Sequence, residues 1–417
     1  MTGGKGFSVF YPALMTTART FAQSASTYES LMPDEGLPAP RSGSDLLDQA
    51  MKLTLRAMGG AHNIIADVVD QHAFKLADSH RSYSTAESDI IDAILNNVFT
   101  KPALRNPPGG QAAGTVMEIP ELGKFKPRPL PASKAPLQSV PPVSSLRYWS
   151  YATGGSQGRP DGAIGDPWIG GDIAALSNLG VQLSTFSAQT QPITEDLIAS
   201  VRHLLRGSGE WTGTGATNFA RSFSWDAANM RILQEEVAEA FSTDVIGLAW
   251  DLYGWQGQLE MYAQPLVDAG CRVECDGVDF VVATDHKVNY RDALDTLNSA
   301  YHQIKKYAKE ARDQVTHNVT DYYRIVYGIL DSYRTDNSDV YHTTDLNSDQ
   351  GKKLQGYVDD LDNLRKEARA SGDAGLQLDF VSGGKWALQK VASTGPWSVV
   401  AQPIVEGILA LLSGEGG

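Results

Sequence analysis

Between residues 219 and 266, the apolar side chains Phe219, Phe223, Met230, Leu233, Val237, Phe241, Val245, Leu248, Leu252, Trp255, Leu259, Tyr262 and Leu266 follow one another at intervals of three, four or seven. Those intervals return each side chain to one face of an α-helix, whereas a half-buried strand would alternate by two. At 1.5 Å per residue, the segment is a helix roughly 70 Å long. A rod of that length with one apolar face must lie alongside other helices, because no compact globule has room for it. The chain is therefore expected to be mainly α: an elongated antiparallel bundle of two tandem helical hairpins, followed by a further helical region with a short β or turn element.

The first hairpin falls within residues 1–99. Phe10, Leu14, Ala18, Phe21, Ala25 and Tyr28 form one helical stripe. Pro33, Gly36, Pro38 and Pro40 end it, and Ser44-Asp45 offers the cap of a second, longer helix. That helix carries Leu47, Met51, Leu55, Met58, Ile65, His72, Leu76, Tyr83, Ile90 and Ile94. Half of the twenty prolines lie between residues 101 and 150, so residues 100–167 read as a proline-rich linker that resists both helix and ladder. The second hairpin, within 168–269, pairs a helix over about 173–205 with the long stripe, and Pro192 should kink or break it. In 270–417, residues 271–284 read as a turn with a short strand. Two helices follow, one bearing Leu294, Leu297, Tyr301, Ile304, Ala308, Ala311, Val315, Tyr322, Ile325 and Ile329, and a shorter one bearing Leu354, Tyr357, Leu361, Leu364 and Ala368.

Charge and cysteine usage narrow the function classes. A formal net charge of −14 opposes phosphate backbones and anionic lipid heads, so nucleic acid is a poor partner and membrane contact is not indicated by charge. The two cysteines, Cys271 and Cys275, cannot supply a four-ligand zinc site. They either close a local disulfide or sit as inert thiols in a turn. Residues 1–19 lack the continuous apolar core of a secretory signal peptide, and the most apolar late stretch, 397–412, is too short to span a bilayer.

Residues that carry chemistry are sparse. There is no Gly-x-Ser-x-Gly elbow, phosphate loop, His-Glu-x-x-His or dinucleotide fingerprint, and no metal or cofactor is implied. His72 lies on an apolar stripe and reads as a packed histidine rather than a ligand. Asp359, Asp360 and Asp362 read as a solvated helix face. Two short motifs stand out. Trp211-Thr212-Gly213 joins two long helical patterns, where glycine gives the turn access to positive φ and the indole can cap the end of a bundle. Tyr83-Ser84-Thr85-Ala86-Glu87 sets a ring and a carboxylate one helical turn apart on one face, as a recognition epitope requires. Tyr327 to Asp331 repeats that spacing with Asp in place of Glu.

In this order, a hairpin ending in Tyr-x-x-x-Glu followed by one turning at Trp-x-Gly, the motifs resemble the PE and PPE substrates of actinobacterial type VII (ESX) secretion. EspB-like proteins carry both halves on one chain. The resemblance spans about residues 8–98 and 170–268. It implies that Tyr83 and Glu87 form an export signal, that Trp211 and Gly213 form the turn completing a bipartite recognition end, and that the partner is the secretion machinery, its ATPase or a chaperone. It also implies a secreted or envelope-associated protein that can form a homo-oligomer and is not an enzyme. Two other readings follow from the residues: an exported toxin with its active domain in 281–417, and a non-secreted helical scaffold.

Overall fold

A computed structural model describes residues 11–33, 36–98, 168–206, 211–275, 278–283 and 289–334, together with Lys352 and Gly356. The proline-rich linker, the helix expected around Leu354 to Ala368 and the 397–412 stretch lie outside the described residues.

The apolar stripes form the helices they imply. In α1 (Tyr11–Glu29), Leu14, Ala18, Phe21, Ala25 and Tyr28 are all buried. They pack on α2 (Asp45–Val98), in a pairing whose antiparallel sense is fixed by three ring contacts: Tyr11 with His80, Phe21 with His72 and Tyr28 with His62. The connection between them crosses α2 so closely that a Cβ on Gly36, where φ is +75°, would stand 2.3 Å from the Leu55 carbonyl oxygen. Only glycine fits there. Ser44 caps α2 as expected: its Oγ accepts a long 3.5 Å bond from the Leu47 amide.

The second hairpin pairs α3 (Ile173–Arg206) with a helical run over residues 214–268. α3 continues through Pro192 without a break, and Leu183, Phe186, Leu197 and Val201 are buried on both sides of the proline. The long stripe is one continuous rod in three parts: α4 (Thr214–Arg231), a π-helical segment (Ile232–Glu239) and α5 (Ala240–Asp268). Its π turns carry three consecutive buried residues, Ile232, Leu233 and Gln234, and so continue the buried run 223–230 of α4. Close approach at the hairpin seam is visible at Ser242, whose hydroxyl donates 2.6 Å to the Gly180 carbonyl.

After α5, β1 (Arg272–Cys275) and β2 (Phe280–Ala283) pair antiparallel, with Cys275 opposite Phe280. This hairpin corrects one of the two cysteine readings. Cys271 and Cys275 are free thiols, the first buried in the core and the second half-buried. Four extended residues hold their Cα atoms about 13 Å apart, against the roughly 4–7 Å that a disulfide requires.

The last described helix, α6 (Arg291–Arg334), is part of the bundle. It runs parallel to α2, with the Thr54 hydroxyl donating 3.1 Å to the Val319 carbonyl. Against α5, the Tyr322 hydroxyl donates 2.7 Å to Asp244. Arg312 binds two segments to it from a buried position, through three carbonyls. Its Nε donates to the Ser42 carbonyl at 2.7 Å, and its Nη2 to those of Ile169 (2.8 Å) and Gly170 (3.0 Å). The entries to α2 and α3 are thereby fastened together, with Gly43 and Gly171 at positive φ where their backbones cross. Among the described residues, no helix is long and apolar enough to cross a membrane, and no cluster of three or more His, Cys, Asp or Glu side chains could hold a metal ion.

Candidate functional site

The end of the bundle away from the Arg312 junction brings the two sequence motifs together. The turn between α3 and α4 closes where the Trp211 amide donates 3.0 Å to the Leu204 carbonyl. Gly213 then precedes α4 at φ 102°, ψ −175°, a conformation essentially closed to residues with a Cβ. Its carbonyl accepts from the Thr217 amide at 3.1 Å and starts the new helix. This geometry turns the Trp211 indole inward. The side chain is 4% exposed and lies 5.5 Å from the Phe219 ring, which stacks in turn on Phe223.

Tyr83 approaches the same spot from α2. It is half-buried against the core, and a Cβ placed on Gly215 would lie 3.3 Å from the Tyr83 hydroxyl oxygen and 3.5 Å from Trp211 Cζ2. The phenol of one motif and the indole of the other thus meet across one exposed glycine at the start of α4. Glu87 follows one turn further along the α2 backbone, but its side chain lies outside the described residues. Tyr327, in the repeated spacing, is buried beside Tyr323 and presents no surface.

Directly beneath this end lies a buried polar chain that the motifs do not announce. His72 Nε2 donates 2.6 Å to Asp226 Oδ2, the Tyr333 hydroxyl donates 2.9 Å to Asp226 Oδ1, and Asn229 Nδ2 donates 2.9 Å to the Tyr333 oxygen. All four side chains are buried, and the rings of Phe21, Phe219 and Phe223 surround the imidazole. Burial first, and then the charge on Asp226, hold the Tyr333 phenol well above its ordinary range. The chain ties α2, α4 and the last turn of α6 into one support for the Tyr83–Trp211 surface. A sequence signal for it exists: Asp226 sits at helical spacing between Phe223 and Met230, inside the one seven-residue gap of the long stripe. An acid on that face must be buried and therefore partnered.

Residues 3–101, which include α1 and α2, match the model of a family described as a domain of unknown function, DUF6317. No curated protein matches the chain, and no solved structure does.

Proposed function

We propose that the chain is a non-enzymatic substrate of a type VII secretion system, acting as a structural or effector protein outside the cytoplasm, and that Tyr83, Gly215 and the Trp211–Gly213 turn form the face that the export machinery reads. One observation carries this reading. Two motifs 128 residues apart in sequence converge on a single glycine at the surface of one end of the bundle. Trp211 is packed into the core against Phe219, so what a partner can touch is half-buried Tyr83 with exposed Thr212 and Gly215 beside it. Two acids flank the junction in sequence, Glu87 four residues after Tyr83 and Glu210 directly before Trp211, so a partner would read shape and apolar contact with the acids setting orientation.

The test is export. The tagged chain is expressed in an actinobacterial host with an active type VII system and in a strain lacking its ATPase, and filtrate and lysate are compared with a cytosolic protein as lysis control. Wild type should reach the filtrate only where the ATPase is present. Tyr83→Ala should accumulate inside at normal abundance, while Trp250→Ala, far from the junction, should be exported. Equal export of Tyr83→Ala and wild type, or export independent of the ATPase, would overturn the proposal.

A further inference from the structure

The solvent-facing side of α5 carries an apolar strip with no function in the described fold. Gly247, Trp250, Gly254 and Met261 fall on one helical face, with exposed Gln258, Asp251 and Tyr262 along one edge of it. Trp250 is 37% exposed, Met261 61% and Tyr262 37%; Tyr307 of α6, 41% exposed beside Trp255, lies on the other flank of α5, roughly 140° round from Trp250. The two glycines lie inside a helix, where each costs about 1 kcal/mol relative to alanine. No atom lies within 4 Å of where a Cβ on either would stand, so nothing in the described fold requires them to be glycine. Bare backbone flanking an exposed indole is what a second helix needs for close approach.

We propose that this face is covered by the chain's own residues 397–412. That stretch is the most apolar of the late sequence, with Glu406 as its only charge. Ile404, Ile408, Leu411 and Leu412 fall at i, i+4, i+7 and i+8, a single helical face that has to be buried. The connection has the right length. Tyr333, near the end of α6, touches Asp226, and Trp250 lies 24 residues further along the same rod, roughly 36 Å away. The residues from 335 to 396, even with the helix that the sequence implies around Leu354 to Ala368, are long enough to cover that span. A second copy of the chain is the weaker occupant, because two molecules of formal charge −14 repel each other while an almost uncharged segment of the same chain does not. This inference is independent of the export reading.

The test uses the full-length chain with a benzophenone photo-crosslinking residue in place of Met261, in a mixture of isotopically light and heavy protein. Mass spectrometry should map the crosslinks to residues 397–412, light to light and heavy to heavy. Ile408→Asp combined with Leu412→Asp should reduce their yield more than about tenfold, since each carboxylate would have to be buried against the strip. The melting transition of the bundle, read by α-helical circular dichroism, should persist. Crosslinks joining light to heavy chains would assign the face to a second copy and overturn the proposal, as would irradiation that leaves residues 397–412 unlabelled.

Discussion

Arg312→Met removes the guanidinium that fastens the entries of α2 and α3 to α6 while keeping an unbranched side chain of comparable reach. Two buried carbonyls, those of Ser42 and Ile169, and the part-buried carbonyl of Gly170 lose the donor bonded to them at 2.7, 2.8 and 3.0 Å. At about 1 kcal/mol for each unsatisfied acceptor, the loss is about 3 kcal/mol. Part of it is offset, because burial disfavours the charged guanidinium, as the lowering of its pKa indicates, and that desolvation penalty disappears with the charge. A net destabilisation of about 2 kcal/mol follows, or a fall in Tm of about 4–8 °C for a bundle of this size. Calorimetry or circular dichroism measures the shift. Hydrogen exchange localises it: the Asp172 amide, bonded to the Arg41 carbonyl at 2.7 Å across the same junction, should lose protection, while amides near Trp211 keep theirs. An unchanged or higher Tm with undisturbed exchange at Asp172 would refute the reasoning. Lys309→Met, which breaks an exposed pair with Asp313 on the same helix, is the control and should leave Tm unaltered.

Other perturbations test separate links. Leu248→Asp places an unpaired charge at a buried position between the long helices and should cost roughly 3 kcal/mol or more, read as a lower urea midpoint; unaltered melting would contradict the packed seam. Gly213→Ala forces a Cβ into φ 102°, ψ −175° and should cost about 1–3 kcal/mol, whereas the same change at exposed Gly254 should stabilise α5 by about 1 kcal/mol, so equal shifts of the two midpoints would discount backbone strain at the turn. Asp70 has its pKa raised, first by burial and then by Asp67 and Glu29. A raised folded-state pKa means that the native state holds its proton more tightly than the unfolded chain, so stability from this group is present at acid pH and lost as pH rises through the raised value. Asp70→Asn should accordingly raise Tm at pH 7, by an amount that vanishes below about pH 4; a gain that does not depend on pH would exclude this electrostatic cause.

The bundle was legible because helical spacing is a local property. The stripes at Leu14 to Tyr28, at Leu47 to Leu76 and from Phe219 to Leu266 each define a face, and those faces form the core of the structure, except that Trp255 is only half-buried and Tyr262 is exposed. The turn chemistry was equally local. Gly213 had to accept positive φ between two helices, and it does. The π segment left no such trace, since a spacing of three or four is common to α- and π-turns that bury the same face. Nor did the cysteine spacing choose between disulfide and free thiols until the strand through Arg272–Cys275 held the two sulfurs apart.

At the candidate site, residue types were evident from sequence, but their meeting was not. Tyr83 and Trp211 lie on separate helical hairpins, and whether a phenol and an indole share one end depends on how those hairpins slide against each other, which no local pattern encodes. Three tertiary features decide it: the crossing at Gly43 and Gly171, the Arg312 bonds, and the buried chain from His72 through Asp226 to Tyr333. Each joins residues at least 107 positions apart, and each involves a polar or glycine position that a hydrophobic pattern passes over. Helix, turn and apolar face are thus properties of the sequence alone, because they follow from neighbours within a turn or two. The register that places the two motifs across Gly215 belongs to the tertiary structure, because it is set by buried polar groups that have no partner until the helices are assembled.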